Sequence, residues 1–172
     1  MKKVVITGGA CCGKTSLITE FDKRGFPVLE EVARSVLEER KDYTPTHEEW
    51  IVRERTMYHR QLELEAKLSG EIAFLDRGLI DYIAYAGHLI GSIPDFMDVK
   101  MAKYDYVFAL DRIPFVNDGL RIESGDSDAQ KIHNIVVDAY SSNGYSIINV
   151  PLMPISARAD YILSHMNNVN TK

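Results

Sequence analysis

Several features that mark specialised classes of protein are scarce in this sequence of 172 residues. It has two cysteines, Cys11 and Cys12, and adjacent cysteines provide no disulfide framework. The five histidines are scattered, without the spacing of a metal site. No apolar stretch approaches the roughly 18 residues of a membrane span, and no signal-peptide pattern precedes the first apolar segment. We therefore expect a cytoplasmic protein with reduced thiols and no membrane span.

Positive charge is also scarce. The net charge is −5, and no run of Lys or Arg extends beyond Lys2 and Lys3. Nucleic-acid binders usually carry a basic patch, so we expect no nucleic-acid partner. The length predicts one domain over residues 1–172, and the oligomeric state stays open.

Five short apolar segments alternate with helical patterns along the chain. This alternation predicts βαβ units and a parallel sheet covered by helices on both faces, an α/β fold of three layers. The predicted strands are Lys3–Thr7, Phe26–Glu30, Ile72–Asp76, Asp105–Leu110 and Ser146–Val150. Helices are predicted over Lys14–Lys23 and Glu31–Lys41, from a capping box at Thr46 to about Leu68, up to about Ile90, near Asp95–Ala102, over Ser127–Ser142 and from Ser156.

The segment GGACCGKT, residues 8–15, fits the phosphate-binding pattern G-x-x-x-x-G-K-[ST]. Its backbone N–H groups would surround phosphate oxygens, and the following helix would add the positive end of its dipole. Lys14 would reach the β- and γ-phosphates, and the Thr15 hydroxyl would bind Mg²⁺. The predicted nucleotide-binding residues here are Gly8, Gly9, Ala10, Cys11, Cys12, Gly13, Lys14, Thr15 and Ser16.

Both cysteines lie inside this loop, and two interpretations stay open. Small side chains are needed where the backbone wraps phosphates closely, so Cys11 and Cys12 can be fillers in place of Ala or Ser. Oriented N–H groups and a helix N-terminus also lower a thiol pKa, which suits a redox sensor. We favour the filling role, and expect at least one thiol to react faster than a free cysteine.

Carboxylates and arginines follow two of the predicted strands. Glu31 could take a proton from an acceptor hydroxyl, and Arg34, one helical turn on, could hold a polar or anionic acceptor. The same segment is also a favourable helix start. Asp76 ends a buried strand, the usual place for a carboxylate that orients Mg²⁺, although Asp111 competes for this role. Arg77 would face the same crevice.

The segment 111–126 contains Pro, Gly, Asn and several charges, and is predicted as a mobile lid loop. Loop closure could bring Arg112, a predicted nucleotide-binding residue, and Arg121 to the transferring phosphoryl group. Two arginines are also commonplace in a surface loop.

The long helix carries an apolar stripe, most simply core, at Trp50, Met57, Leu64 and Leu68. Arg53 and Gln61 fall along the same stripe, where polar groups need a partner or a ligand. We predict that both help to line an acceptor pocket.

Three of these segments resemble motifs of known kinases. DRGLIDYIAYAG (residues 76–87) resembles the DR…AYxG segment of thymidylate kinases. EVAR (31–34) and FVNDGLR (115–121) resemble the E-x-A-R and V-x-D-G-x-R elements of the nicotinamide riboside kinase domain of NadR-type proteins. With the phosphate loop, nearly the whole chain is similar to the NadR-like family of small P-loop ATPases. The resemblance implies a nucleoside- or nucleotide-kinase-like fold with strand order 2-3-1-4-5, and favours Glu31, Arg34, Asp76, Arg77 and Arg121 as site residues.

Two classes of function remain. The first is a phosphotransferase that uses Mg·ATP on a nucleoside, ribosyl compound or nucleotide, with Lys14, Glu31, Asp76 and Arg121 as catalytic residues and Thr15 and Asp76 at the metal. The alternative is a nucleotide-dependent regulator whose ATP or GTP turnover acts on a protein or lipid partner. A base-like carboxylate with an acceptor-side arginine favours the first. No guanine-specifying N-K-x-D motif occurs, so ATP is favoured over GTP.

Overall fold

A computed structural model describes residues 1–38, 45–116 and 123–169. The first half contains β1 (Lys2–Thr7), α1 (Lys14–Lys23), β2 (Val28–Leu29), α2 (Val32–Glu38), α3 (His47–Lys67) and β3 (Ile72–Asp76). The second half contains α4 (Leu79–Ile90), a 3₁₀ turn (Val99–Met101), β4 (Tyr106–Leu110), α5 (Asp126–Ser142), β5 (Ile147–Val150) and α6 (Ile155–Val169).

The strands form one parallel sheet in the order β2-β3-β1-β4-β5, which confirms the predicted topology. The central strand β1 is fully buried at Val4, Val5 and Ile6. A strand covered on both faces needs such an unbroken apolar run. Because β1 and β3 are parallel neighbours, the loop after β1 and the residues after Asp76 meet at the carboxyl edge of the sheet.

Helices cover both faces of the sheet. On one face, α1 and α6 pack over β1, β3 and β4, and the Phe21 ring stacks on Phe74 with 3.6 Å between centroids. On the other face, α3, α4 and α5 pack over Val5 and Val107. The arrangement confirms the predicted three-layer α/β/α fold. No helix in the described ranges is long and apolar enough to cross a membrane.

The ends of several elements differ from the prediction. The strand β2 has two residues where five were predicted, because at the sheet edge only Val28 and Leu29 pair with β3. The helix predicted near Asp95–Ala102 is a single 3₁₀ turn. Its start is capped by the Asp98 side chain, and the Tyr58 hydroxyl bonds the Asp98 backbone, which ties this segment to α3.

The capping box at the start of α3 is present as predicted. The Glu49 N–H donates to the Thr46 hydroxyl at 3.3 Å, and the Thr46 N–H donates to the Glu49 carboxylate at 2.8 Å. For the helix predicted over Glu31–Lys41, the structure gives Val32–Glu38, and residues 39–41 lie outside the described part.

Candidate phosphoryl-transfer site

The phosphate loop connects β1 to α1 at the carboxyl edge of the sheet. Gly8 and Gly13 have φ angles of 126° and 80°, which glycine adopts without strain. A Cβ atom at Gly9 would lie 2.9 Å from the Ala129 carbonyl oxygen and 2.9 Å from the His133 Cβ, both on α5. The close approach of α5 therefore requires a glycine there, and backbone conformation requires the other two.

Lys14 is buried at the start of α1, with 7% of its surface exposed. Its ammonium donates to the carbonyl oxygens of Gly8 at 3.0 Å and Gly9 at 2.8 Å. An ammonium has three donors, so one more is available to a phosphate oxygen. These two hydrogen bonds position the Lys14 ammonium at the wall of a cavity beside the loop.

Thr15 and Asp76 form the candidate Mg²⁺ site. The Thr15 hydroxyl donates to Asp76 Oδ2 at 2.9 Å, and Oδ1 of Asp76 is buried without a hydrogen-bond partner among the described residues. Asp111 is exposed, so the geometry favours Asp76 of the two alternatives. Hydroxyl and carboxylate oxygens suit Mg²⁺, which usually takes its other ligands from water and substrate phosphates.

The electrostatics of Asp76 fit a cation. Burial, together with the nearby Glu31 carboxylate, raises the pKa of Asp76, and an adjacent Mg²⁺ would reverse this effect. The described residues contain no group of three or more His, Cys, Asp or Glu side chains that could bind a metal by themselves. A cation at this position would therefore depend on the nucleotide for further ligands.

Arg77 holds Glu31 in place. Its Nε donates to Glu31 Oε1 at 2.6 Å, and its NH1 lies 3.4 Å from Asp81 Oδ1. Burial alone would raise the pKa of Glu31, but the charges of Arg77 and Lys14 outweigh burial and lower it. Glu31 is therefore an ionised, oriented carboxylate at neutral pH.

Asp81, which was not among the predicted site residues, is the second carboxylate that contacts the Arg77 guanidinium. It is fully buried, and it accepts hydrogen bonds from the Thr7 hydroxyl at 2.7 Å, the Gly78 N–H at 2.9 Å and the Tyr140 hydroxyl at 2.7 Å. Its place three residues after Gly78, at the start of α4, is a capping position that was visible in the sequence. Gly78 is required because a Cβ would lie 2.7 Å from the Tyr140 oxygen.

A cavity of about 440 Å³ opens beside the phosphate loop. Besides the loop, it is lined by Glu31, Ala33, Arg34, Trp50, Glu54, Met57, Arg77, Asp81, Tyr82, Tyr85, Leu89 and Glu123. Aromatic and aliphatic walls with a few charged groups are typical of small-molecule sites. Glu31 and Lys14 line the same cavity, so a molecule bound there can contact both.

Three residues that were predicted for the acceptor side line this cavity, namely Glu31, Arg34 and Arg77. Gln61 does not, and its assignment was wrong. It is fully buried, with Nε2 donating to Glu65 Oε1 at 3.0 Å and to the Arg77 carbonyl at 3.3 Å. Packing of α4 against α3 covers this turn, so the polar partner is protein and not ligand.

Arg53 also does not line the cavity, which corrects the second of these assignments. It is buried, and its guanidinium lies 5.5 Å from the centroid of the Trp50 ring. The next residue, Glu54, faces the cavity in its place. Trp50, predicted as core, is half-buried and lines the cavity too.

The two cysteines have different surroundings. Cys12 is 2% exposed and packs in the core beside Leu17 and Leu110. Burial raises the pKa of Cys12 in spite of the nearby Lys14 charge, so Cys12 is not the thiol expected to react faster than a free cysteine. Cys11 is half-buried, and its sulfur accepts the Val116 N–H at 3.2 Å.

The start of the segment 111–126 lies over the phosphate loop. Arg112 Nε donates to the Ala10 carbonyl at 3.1 Å, and its NH2 lies 2.8 Å from Asp126 Oδ1. Residues 117–122, including Arg121, lie outside the described part of the chain. The lid and the role of Arg121 therefore stay predictions.

Two further residues brace the phosphate loop from distant helices. Arg158 on α6 donates through NH1 to the Cys12 carbonyl at 2.6 Å, and His133 on α5 accepts the Gly9 N–H at Nδ1 at 3.1 Å. Burial, helped by the charges of Arg112 and Lys14, lowers the pKa of His133, which keeps the imidazole neutral and able to accept. Neither residue belongs to a sequence motif, so no local pattern indicates its contact with the loop.

Comparison with known proteins agrees with this geometry. A family model described as an AAA domain matches residues 3–158. None of the curated proteins is similar enough in sequence to match. Among solved structures, the NadR protein in complex with NAD and AMP-PNP has a TM-score of 0.69 at 17% identity, over 99% of this chain and 50% of the other. This chain thus spans about half the length of that protein.

Two shorter proteins match over nearly their whole length. Deoxyadenosine kinase from M. mycoides, with products dCMP and dCDP bound, has a TM-score of 0.60 at 14% identity, over 97% of this chain and 99% of the other. Thymidylate kinase from Candida albicans has a TM-score of 0.60 at 13% identity, over 98% and 92%. At these identities the likeness concerns the fold, and it confirms the predicted kinase-like architecture.

Proposed function

We propose that this chain, which belongs to the AAA-domain family of P-loop proteins, is a kinase that transfers the γ-phosphoryl group of Mg·ATP to a small-molecule acceptor. The proposed acceptor is a nucleoside, a ribosyl compound or a nucleotide. The observation that carries the proposal is the oriented Glu31 carboxylate, which lines one cavity together with Lys14 of the phosphate loop. A switch that only hydrolyses nucleotide has no need of an oriented carboxylate in a cavity beside its phosphates.

The nucleotide end of the reaction rests on the loop residues. Backbone N–H groups of the loop and the Lys14 ammonium would bind the phosphate oxygens. Thr15 and Asp76 would hold Mg²⁺, which when bound neutralises charge on the β- and γ-phosphates. Arg112 already contacts the Ala10 carbonyl and would lie at the nucleotide.

The acceptor end rests on Glu31. Arg77 occupies its Oε1, which leaves Oε2 to accept the hydrogen bond of an acceptor hydroxyl. As the hydroxyl oxygen attacks phosphorus, its proton passes to this carboxylate. A lowered pKa makes Glu31 a weak base, but phosphoryl transfer is loose and depends mainly on positioning and charge. Arg34 would hold polar groups of the acceptor.

The test is acceptor-dependent turnover. ADP formation from Mg·ATP is measured alone and with deoxyadenosine, thymidylate or nicotinamide riboside, the compounds suggested by the names of the structural neighbours. We expect at least one to stimulate ADP release and to gain the phosphoryl group. With an acceptor hydroxyl, Glu31→Gln should lower this turnover roughly 10²-fold or more while ATP affinity stays unchanged. With thymidylate, whose phosphate is already ionised and needs no base, the loss should be small.

Glu30→Gln is the matched control, because Glu30 is the neighbouring carboxylate and is exposed. It should leave turnover unchanged. ADP release that no acceptor stimulates, at equal rates in wild type and Glu31→Gln, would contradict the proposal and favour the nucleotide-dependent regulator. Parallel measurements with GTP test the expected preference for ATP.

A further inference from the structure

Glu54 is a buried glutamate at the cavity wall, and one of its carboxyl oxygens is unpaired in the part of the chain that the structure describes. Its side chain is on α3, 2% of the residue is exposed, and Oε2 has no hydrogen-bond partner among the described residues. Trp50 and Met57, four residues before and three after, line the same cavity. This spacing places the three side chains on one face of the helix.

The other buried glutamate of α3 is fully paired. Glu65 accepts hydrogen bonds from Lys3 Nζ at 2.9 Å, the Tyr104 hydroxyl at 2.9 Å and Gln61 Nε2 at 3.0 Å. Leaving a buried polar group unpaired destabilises a folded protein, because the group loses its hydrogen bonds to water and gains none in return. Because Glu54 lines the cavity, a molecule bound there can supply the partner that its carboxyl lacks among the described residues.

The surroundings of Glu54 indicate the shape of that molecule. Trp50, Met57, Tyr82, Tyr85 and Leu89 provide flat and apolar walls, which suit a planar ring. Burial raises the pKa of Glu54 to about 8, so at neutral pH the carboxyl is mostly protonated. A neutral carboxyl presents an O–H donor beside a C=O acceptor, and its complement is a ring edge with an acceptor beside an N–H.

We propose that Glu54 selects the acceptor by pairing, as a neutral acid, with the amide-type edge of a planar ring, where an N–H lies beside a carbonyl oxygen or ring nitrogen. The inference rests on the proposed function, since it takes the cavity to be the acceptor pocket. Glu31 then contacts the hydroxyl that receives the phosphoryl group, and Glu54 forms hydrogen bonds with the edge of the ring.

The experiment compares probes that differ only in this edge. The pairs are deoxyadenosine with purine deoxyriboside, thymidylate with N3-methylthymidylate, and nicotinamide riboside with the pyridinium riboside that lacks the carboxamide. Binding is measured by calorimetry with Mg²⁺ and AMP-PNP present. The proteins are wild type, Glu54→Leu, Glu54→Gln and the control Glu63→Leu, the same change at an exposed position of α3.

In the pair that wild type binds, the N–H-bearing member should bind about tenfold to hundredfold more tightly. Glu54→Leu should abolish this preference. Glu54→Gln should retain it, because an amide also offers a donor beside an acceptor, and Glu63→Leu should leave it unchanged. Thermal unfolding confirms that each variant is folded, and Glu54→Leu should unfold at a higher temperature than wild type because it removes an unpaired buried carboxyl.

Four results would overturn the assignment: a preference that survives in Glu54→Leu, one lost in Glu54→Gln, one lost in Glu63→Leu, or no binding of any of the six probes. Loss in the Gln variant would mean that the ligand needs a charged carboxylate. Phosphoryl transfer is measured separately on the same samples with ATP. An edge preference that depends on Glu54 but is accompanied by no transfer would refute the kinase proposal and leave the binding role of Glu54 standing.

Discussion

The unpaired Glu54 carboxyl should make the stability of the protein depend on pH in a way that Glu54→Gln removes. The pKa of Glu54 is raised by burial from 4.5 to about 8. About 3.5 pH units separate these values, and one unit corresponds to about 1.4 kcal/mol. The free energy of unfolding of wild type should therefore fall by about 5 kcal/mol across this range through Glu54 alone.

The sign follows from proton binding. Below pH 4.5 the carboxyl is protonated in both the folded and the unfolded chain, and the stabilising effect is fully present. Between pH 4.5 and about 8 the unfolded chain releases this proton while the folded protein retains it, so the free energy of unfolding falls as pH rises. Above pH 8 both states are ionised, and the dependence ends.

Urea unfolding of wild type and Glu54→Gln at pH 5, 6, 7 and 8 measures the effect. Glutamine has no ionisation, so the stability difference, variant minus wild type, should grow by about 1.4 kcal/mol per pH unit. Other groups with shifted pKa values near the cavity, namely Glu31 and Asp76, are present in both proteins, and their contributions cancel to first order.

Glu63→Gln on the exposed face of α3 provides the control, and its difference from wild type should be flat with pH. A Glu54→Gln difference that is equally flat would refute the reasoning. It would show that the carboxyl is paired or hydrated in the folded protein, and it would remove the main electrostatic support for a neutral Glu54 in the cavity.

Three other predictions concern the phosphate loop. Lys14→Ala should abolish Mg·ATP binding in calorimetry while circular dichroism shows an intact fold; retained affinity would contradict the phosphate site. Arg158→Leu should weaken ATP binding about tenfold or more, because the Cys12 carbonyl loses a charged hydrogen-bond donor; unchanged affinity would assign Arg158 to packing alone. Alkylation followed by mass spectrometry should modify Cys11 first, with protection by Mg·ATP, while the buried Cys12 stays unmodified until unfolding; rapid modification of Cys12 in the folded protein would contradict its burial.

The sheet and the phosphate loop were predictable because their determinants are local in the chain. A strand buried on both faces reads as an apolar run, as KVVIT and IAFLD do, and each ends where the polar site residues begin. The loop motif depends on two glycines in left-handed conformations and a lysine, all within residues 8–14. Strand order came from the resemblance to the NadR-like family and not from the strands themselves.

Element ends were less predictable because tertiary contacts set them. The segment around Asp98 has a helical composition, yet the Tyr58 hydroxyl bonds its backbone and it forms only a 3₁₀ turn. The limits of β2 depend on its pairing with β3. These contacts join residues that lie about 40 positions apart, beyond the reach of local patterns.

The acceptor side shows the same difficulty at the level of side chains. The stripe on α3 identified the right helix, but its polar members were misassigned because Gln61 is covered by α4 while Glu54, one position from Arg53, faces the cavity. Neighbouring residues of a helix point about 100° apart, and sequence periodicity does not fix the direction of a side chain more finely than this. Deciding between neighbours needs the packing partner.

The two halves of the site therefore differ in how they are encoded. In the proposed reaction, the phosphates would be contacted by contiguous backbone, whose conformation a short motif specifies, and this loop could serve kinases with different acceptors. The cavity walls come from α2, α3, α4 and the segment before α5, so a single side chain such as Glu54 can change which ring is accepted without altering the loop. Glu54 belongs to no motif, and it stands out only through a buried oxygen that has no partner among the described residues. In a fold shared by kinases of different acceptors, such unpaired groups at the cavity wall are where specificity is best sought.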